Sequence, residues 1–539
     1  MTEAMPRSVP VRDPNPGWGL LLAAPAFLLW LFGLVPPVVS TLYLSLTSTG
    51  GISGRGRFVG AANYGQLFDD GVFGRAAGFT VLVVVVRVVA VAVVPPLLAW
   101  GTVALGRRVA IPLAVVFAVP LAFATPAFAA IANQVGAAPG ALASTGGARA
   151  TVLGTGGTYA LLYACGIGLV VLTAALRAET RPGRSGLLGR PFVTAWAVGV
   201  LAAAAYGLQA FTGVNVMTGG GPANATETLG SHALAVGLQD AQFGYSAAVE
   251  VTFLLPVLLL GLCAGALVIA NRAALDPRPD LGPRRPAGNP AAWVAGGVAL
   301  LVALVVWGRG LWPVAAGWSG RPVQGVSAGG AVFRVLLHDL PSTLLVVVVA
   351  LAAAFGIVAF RPLGRGGLWL LLPFAPWLFL TTVAQAPALF LAYAHGTVQR
   401  PFAHLQPALG LLPILLFAFV ILLRGLEPRW RAARARREPG AFARHVLAPG
   451  WLAALGVSAG AFLAVTHEYV TAWMTVPDPQ DQPLPLAVVR AGQTVFASRG
   501  AAVTRPDLPL AVLTFAVIAV VAAWLAGRAV LRDGTAEPR

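Results

Sequence analysis

Between Ala77 and Gly101 this chain carries one charged residue, Arg87, in a run made largely of valine, alanine and leucine. Eleven further stretches read much the same way. A helix needs about 20 apolar residues to cross a bilayer, and most of these stretches approach or exceed that length. Only 10% of the residues are charged and 58% are hydrophobic, whereas a soluble domain carries about 25% charged residues. The apolar runs are continuous, which argues against a β-barrel, whose strands alternate apolar and polar positions. The expected class is therefore an all-α polytopic membrane protein. Helices are expected near 18–46, 77–101, 109–134, 157–176, 191–212 and 246–271, then near 291–308, 342–360, 368–394, 407–424, 448–474 and 508–528. The first run is too long for the core of a signal peptide and is read as a retained helix.

All 36 basic residues are arginine. Without lysine the chain offers neither a Walker-A phosphate loop nor a Schiff base. The formal charge of +17 is best explained by arginines flanking membrane helices on one side, so no nucleic-acid partner is expected. Cys165 and Cys263 lie in apolar stretches and read as small hydrophobes. The six histidines (His232, His338, His395, His404, His445 and His467) show no ligand spacing. Neither metal nor cofactor is expected, and no enzymatic activity.

Residues 271–290 hold Asp-Pro-Arg-Pro and Gly-Pro-Arg-Arg-Pro strings. Proline at this density keeps a segment extended, so it reads as a linker between residues 1–270 and 291–539. With the N-terminus inside, roughly two thirds of the arginines fall on the cytoplasmic side. Both termini and the linker are then cytoplasmic, in a bacterial plasma membrane. Six helices before an inside linker and six after it give two parallel halves. A fused pair of importer permease subunits and a major-facilitator carrier both satisfy that layout.

Particular residues favour the first. Arg57-Phe-Val-Gly60-Ala-Ala-Asn63-Tyr64, then Thr218-Gly219-Gly220-Gly221-Pro222, then Phe243-Gly-Tyr245 occur in the order found in sugar-type ABC importer permeases. The three glycines and proline allow a sharp turn at the membrane surface. The first half therefore resembles the maltose and glycerol-phosphate permease family. The second resembles the partner subunit, through Pro341-Ser342-Thr and Thr466-His-Glu468-Tyr469. The resemblance implies a separate ATPase dimer, an external solute-binding protein docking at Thr218–Thr228 and Thr475–Arg505, and a small-molecule substrate such as a sugar or polyol.

It also implies two ATPase-coupling loops, where the family carries Glu-Ala-Ala followed by Gly. Here Arg177-Ala178-Glu179 precedes Gly183, and Arg431-Ala432-Ala433 precedes Gly440. In both, Arg replaces the leading Glu, and position 437 is Arg where the family has Gly. The plainer explanation of both loops is cytoplasmic arginine that anchors helices.

Polar residues within the apolar runs mark a translocation path. Arg87 inside a membrane must face a partner, and Glu250 is the acidic candidate, as an ion pair of either transport or structural role. Gln209 and Asn215, near the end of the fifth helix, carry amides able both to donate and to accept bonds from sugar hydroxyls. Glu468 completes the set. Phe211, Tyr245 and Trp473 are candidates for stacking on a sugar ring, or for packing. The expected function is the transmembrane permease component of an ABC importer. The alternatives are a major-facilitator-like secondary transporter and a non-transporting permease relative acting as scaffold or sensor.

Overall fold

The computed structural model describes residues 15–50, 56–135, 137, 140–178, 189–277, 290–316, 328–396, 400–475, 486, 489 and 508–533. These are almost entirely helical. Among them, nine helices are long and apolar enough to cross a membrane, or eleven if each of two bent pairs counts as one span.

The chain opens with α1 (Pro16–Leu44), interrupted by one wide turn at Trp30–Leu34, and the short α2 (Ala62–Asp69). α3 (Gly71–Leu105) starts where the Asp70 carboxylate accepts the Val72 amide at 2.7 Å. That cap begins the helix before the apolar run itself. α4 (Arg107–Phe123), α5 (Pro126–Val135), α6 (Thr145–Ala178), α7 (Arg190–Leu208), α8 (Thr212–Met217), α9 (Leu229–Leu234) and α10 (Phe243–Ala270) follow, then strand β1 (Ala274–Asp276). After the proline-rich stretch come α11 (Pro290–Ala316), α12 (Leu340–Ala359), a 3-10 helix at Gly364–Phe379, α13 (Ala386–Ala394), α14 (Arg400–Gly410) and α15 (Leu412–Ala435). The chain closes with α16 (Ala448–Thr466), α17 (Val470–Thr475), α18 (Leu508–Arg528) and strand β2 (Val530–Arg532).

The expected tenth span, 407–424, is not one continuous apolar helix. α14 ends at Gly410, and α15 carries Arg424, Glu427, Arg429, Arg431 and Arg434 in its second half. The third and ninth segments are each broken. α4 meets α5 at 81°, and the 3-10 helix meets residues 382–394 at 94°. Thr125 stands before Pro126, where the helical conformation is sterically disfavoured. In the other break, Leu380 and Thr381 are extended.

Long-range packing repeats itself along the chain. α1 packs on α12, and α11 packs on α3. α10 packs on the 3-10 helix, and α18 on α4. β1 pairs antiparallel with β2, and each then rests on a helix from the opposite part of the chain, β1 on α15 and β2 on α6. Glycine makes the first two contacts close. A Cβ on Gly101 would stand 2.3 Å from the Gly296 Cα, and one on Gly19 would stand 2.8 Å from the Gly356 carbonyl. Without a hydrophobic drive between helices in lipid, such small-residue seams supply the van der Waals contact that holds helices together.

The ribbon β1–β2 defines one face of the molecule. Buried Asp276 receives Arg429 at 2.9 Å and Arg532 at 3.4 Å, locking the ribbon to α15. Leu172, Leu176, Phe192 and Leu531 form one apolar cluster. The end of α6, the start of α7 and the second half of α15 therefore lie on the ribbon face. The break at Gln209 and the Thr218–Pro222 turn lie toward the opposite face.

Candidate functional site

The ribbon face carries the residues expected in the coupling loops. Arg177 and Ala178 end α6, while Glu179 and Gly183 lie outside the described residues. Arg431, Ala432 and Ala433 occupy the last turns of α15. Arg431 donates to the buried Glu427 at 2.7 Å, and Arg361 meets the same oxygen at 2.9 Å. Ala433 is buried and Ala432 exposed. The chain then turns at Arg437 and Gly440, both with positive φ. Glu438 joins Arg436 at 2.8 Å and His445 at 3.3 Å, and these hydrogen bonds hold its carboxyl below the usual range. Phe442 packs edge-on against both Phe355 and Trp430, which tilt against each other. Arg434, Arg436, Arg437 and Arg444 remain exposed, so this is a rigid knob with a cationic rim.

The end of α7 meets the second break away from the ribbon. Gln209 caps the end of α7. Its amide nitrogen donates to the carbonyls of Ala205 (3.0 Å) and Phe379 (2.8 Å), and its oxygen accepts from the Thr381 amide (2.8 Å) and hydroxyl (2.9 Å). The side chain is thus saturated by protein. In this structure the amide pins the second break. Asn215 lies in the separate α8 and donates to the Tyr469 hydroxyl at 3.1 Å. Phe211 stands 6.4 Å from the ring of Tyr469 and 5.7 Å from that of Trp473. Two of the three aromatics named from sequence therefore meet, joined by Tyr469, in a closed cluster between α8 and α17.

Glu468 caps α17, accepting the amides of Val470 (3.0 Å) and Thr471 (2.9 Å). The Thr471 hydroxyl reaches Thr382 at 3.3 Å. Glu250 is fully buried in α10 and accepts the Ala386 amide at 3.1 Å. Arg87 does not pair with it. Arg87 donates to the Tyr206 carbonyl at 2.7 Å, in the last turn of α7, where the helix dipole favours a cation.

Toward the opposite face lies a network that sequence reading missed. His232 in α9 is buried and bonded through Nδ1 to Glu227 (2.9 Å) and through Nε2 to Asp70 (3.1 Å). The Tyr245 hydroxyl donates to the same Asp70 oxygen at 2.7 Å. Burial opposes ionisation of Asp70, but the Tyr245 bond, the Val72 and Phe73 amides and the His232 charge outweigh it and keep the carboxyl below its ordinary range. Tyr245 is thus engaged in this network and not in the central aromatic cluster. The network braces the glycine turn. Thr218 bonds Thr226 at 2.7 Å, Thr226 donates to the Gly221 carbonyl at 2.9 Å, and Gly219 and Gly220 take positive φ. Pro222 follows Gly221 through a cis bond. Of the second expected docking segment, 475–505, only residues 475, 486 and 489 lie within the described residues.

A groove of about 600 Å³ between α7 and α10 is lined by Trp196, Val200, Leu201, Cys263, Leu267 and Ala270 among others. Its lining is almost wholly apolar. No group of three His, Cys, Asp or Glu able to hold a metal occurs among the described residues. One missed signal was present in the sequence. Pro120-Leu-Ala-Phe123-Ala-Thr125 and Pro376-Trp-Leu-Phe379-Leu-Thr381 share a Pro-x-x-Phe-x-Thr string, and each string ends at a helix break. No protein-family model matches the chain, and none of the curated proteins matches it.

Proposed function

We propose that this multi-pass membrane protein is the transmembrane component of an ABC importer, built as two permease halves in one chain. The reading rests above all on the repeated exchange of packing partners. α1 with α12 and α11 with α3, α10 with the 3-10 helix and α18 with α4, and β1 with α15 and β2 with α6 form three pairs of equivalent contacts. Two parallel halves related by a twofold axis along the membrane normal produce such pairs. The broken third segment of each half and the Pro-x-x-Phe-x-Thr string fit the same repeat.

In this proposal the ribbon face is cytoplasmic. A separate ATPase dimer grips the chain at Arg177–Gly183 and at the knob Arg431–His445. The knob's exposed arginines suit an acidic rim on the ATPase groove. A solute-binding protein docks on the opposite face, at the Thr218–Pro222 turn braced by Asp70, His232 and Glu227. The substrate, a sugar or polyol, passes between α8 and α17 once the Phe211, Tyr469 and Trp473 cluster parts. ATP-driven closure of the ATPase dimer shifts the population between the two access states.

Co-purification tests this. The chain is expressed with candidate sugar-importer ATPases, solubilised and captured, with Arg431–Arg437 and Arg177–Gly183 each replaced by Gly/Ser in parallel. ATPase retention that is lost in either variant supports the proposal. An intact chain that retains no ATPase overturns it and favours secondary transport or a scaffold role.

A further inference from the structure

α13 begins at Ala386, just beyond the second helix break, and the amide of a first helical residue has no acceptor within its own helix. Glu250 from α10 fills that role through Oε1 at 3.1 Å. Glu250 has no solvent exposure, and its Oε2 has no hydrogen-bond partner. Gln385, the residue before Ala386, is 4% exposed, and its Oε1 also has no partner. Glu250 and the residue next to its Ala386 partner thus each carry a buried acceptor oxygen without a partner at one break inside an apolar span.

Apart from the partial positive charge of the α13 N-terminus, no compensating charge is present. Among the described residues no arginine or histidine pairs with Glu250. No charged or titratable group of the elements packed on α10 acts electrostatically on it. His232 on α9 is turned to Asp70 and Glu227, and Tyr245 on α10 itself is bonded to Asp70. Buried polar oxygens are almost always satisfied, and a buried carboxylate without a counter-charge is strongly disfavoured. Unwound backbone at broken membrane helices forms sites for Na⁺ or H⁺, and buried intramembrane carboxyl groups serve as proton and ion sites.

We propose that Glu250 and Gln385 form a binding site for a monovalent cation, a proton or Na⁺, at the break ahead of α13. The occupant sits between Glu250 Oε2 and Gln385 Oε1. As a proton it resides on Oε2 and is donated to Gln385; as Na⁺ it is ligated by both oxygens. The site goes beyond the importer reading, since ATP-driven transport needs no coupling ion, and it stands whether or not an ATPase binds.

The full chain in lipid nanodiscs is examined at neutral pH by infrared spectroscopy, and its thermal unfolding is followed in NaCl against choline chloride. A protonated-carboxyl band that shifts in D₂O and is missing from Glu250→Gln identifies the proton as occupant. A melting temperature raised by Na⁺ over choline in the wild type, but not in Glu250→Gln, identifies Na⁺. Gln385→Leu is expected to move the band to higher frequency or to abolish the Na⁺ effect. An unchanged band and an unchanged Na⁺ effect in that variant would remove Gln385 from the site. Should Glu250→Gln fail to fold, the wild type and Gln385→Leu still decide. A wild type with neither a protonated-carboxyl band nor a Na⁺ effect would show Glu250 ionised and unliganded, and would overturn the proposal.

Discussion

The side-chain amide of Gln209 donates to the carbonyl of Phe379 at 2.8 Å, tying the end of α7 to a helix break 170 residues later. The break leaves backbone groups that no helix can satisfy, and Gln209 supplies a donor and an acceptor together. Gln209→Leu should therefore strand the Phe379 carbonyl and the Thr381 amide in an apolar interior. The expected destabilisation is about 2–6 kcal/mol, from about 1–3 kcal/mol for each of the two orphaned groups. Thermal unfolding in detergent measures it, and a variant as stable as the wild type would show that the break does not depend on this amide.

Gly101 and Gly296 meet backbone to backbone between α3 and α11, with no room for a Cβ on either. Leucine at either position must push the helices apart, at about 1–3 kcal/mol as in other overpacked sites. Because the two glycines share one contact, the double variant should cost less than the sum of the singles. Unfolding of the two single variants and the double variant checks this, and strict additivity would place the two changes in separate environments.

Asp70 links stability to pH. Its folded carboxyl titrates below the unfolded value of 3.8. A depressed acid stabilises the fold above the unfolded value, and that contribution is lost as pH falls through the folded one. Melting temperature should drop on acidification below about pH 4, and Asp70→Asn should flatten that drop. An acid limb unchanged in Asp70→Asn would assign it to other carboxylates.

Arg431 separates stability from coupling. Glu427 keeps Arg361 when Arg431 is removed, and partly exposed pairs contribute about 0–1 kcal/mol. Arg431→Ala should thus melt within a few degrees of the wild type while capturing less ATPase. Equal capture by both would remove Arg431 from the coupling surface.

The membrane class, the helical content and the positions of most apolar segments were determined by the sequence alone. In a bilayer an apolar run with no water to bond its backbone must form a helix, and that inference needs no knowledge of neighbours. The turn at Thr218–Pro222 was equally plain, because its glycines dictate a local conformation. What only the tertiary structure decided were the partners. Arg87 was read toward Glu250 but finds the Tyr206 carbonyl. Gln209, a candidate for the translocation path, spends its amide on the 379–381 break. Asp70, Glu227 and His232 are separated in sequence by up to 162 residues, and no periodicity announces their meeting. A local rule reports what one residue's own segment needs, whereas a buried polar group is satisfied by whichever segment the fold brings beside it.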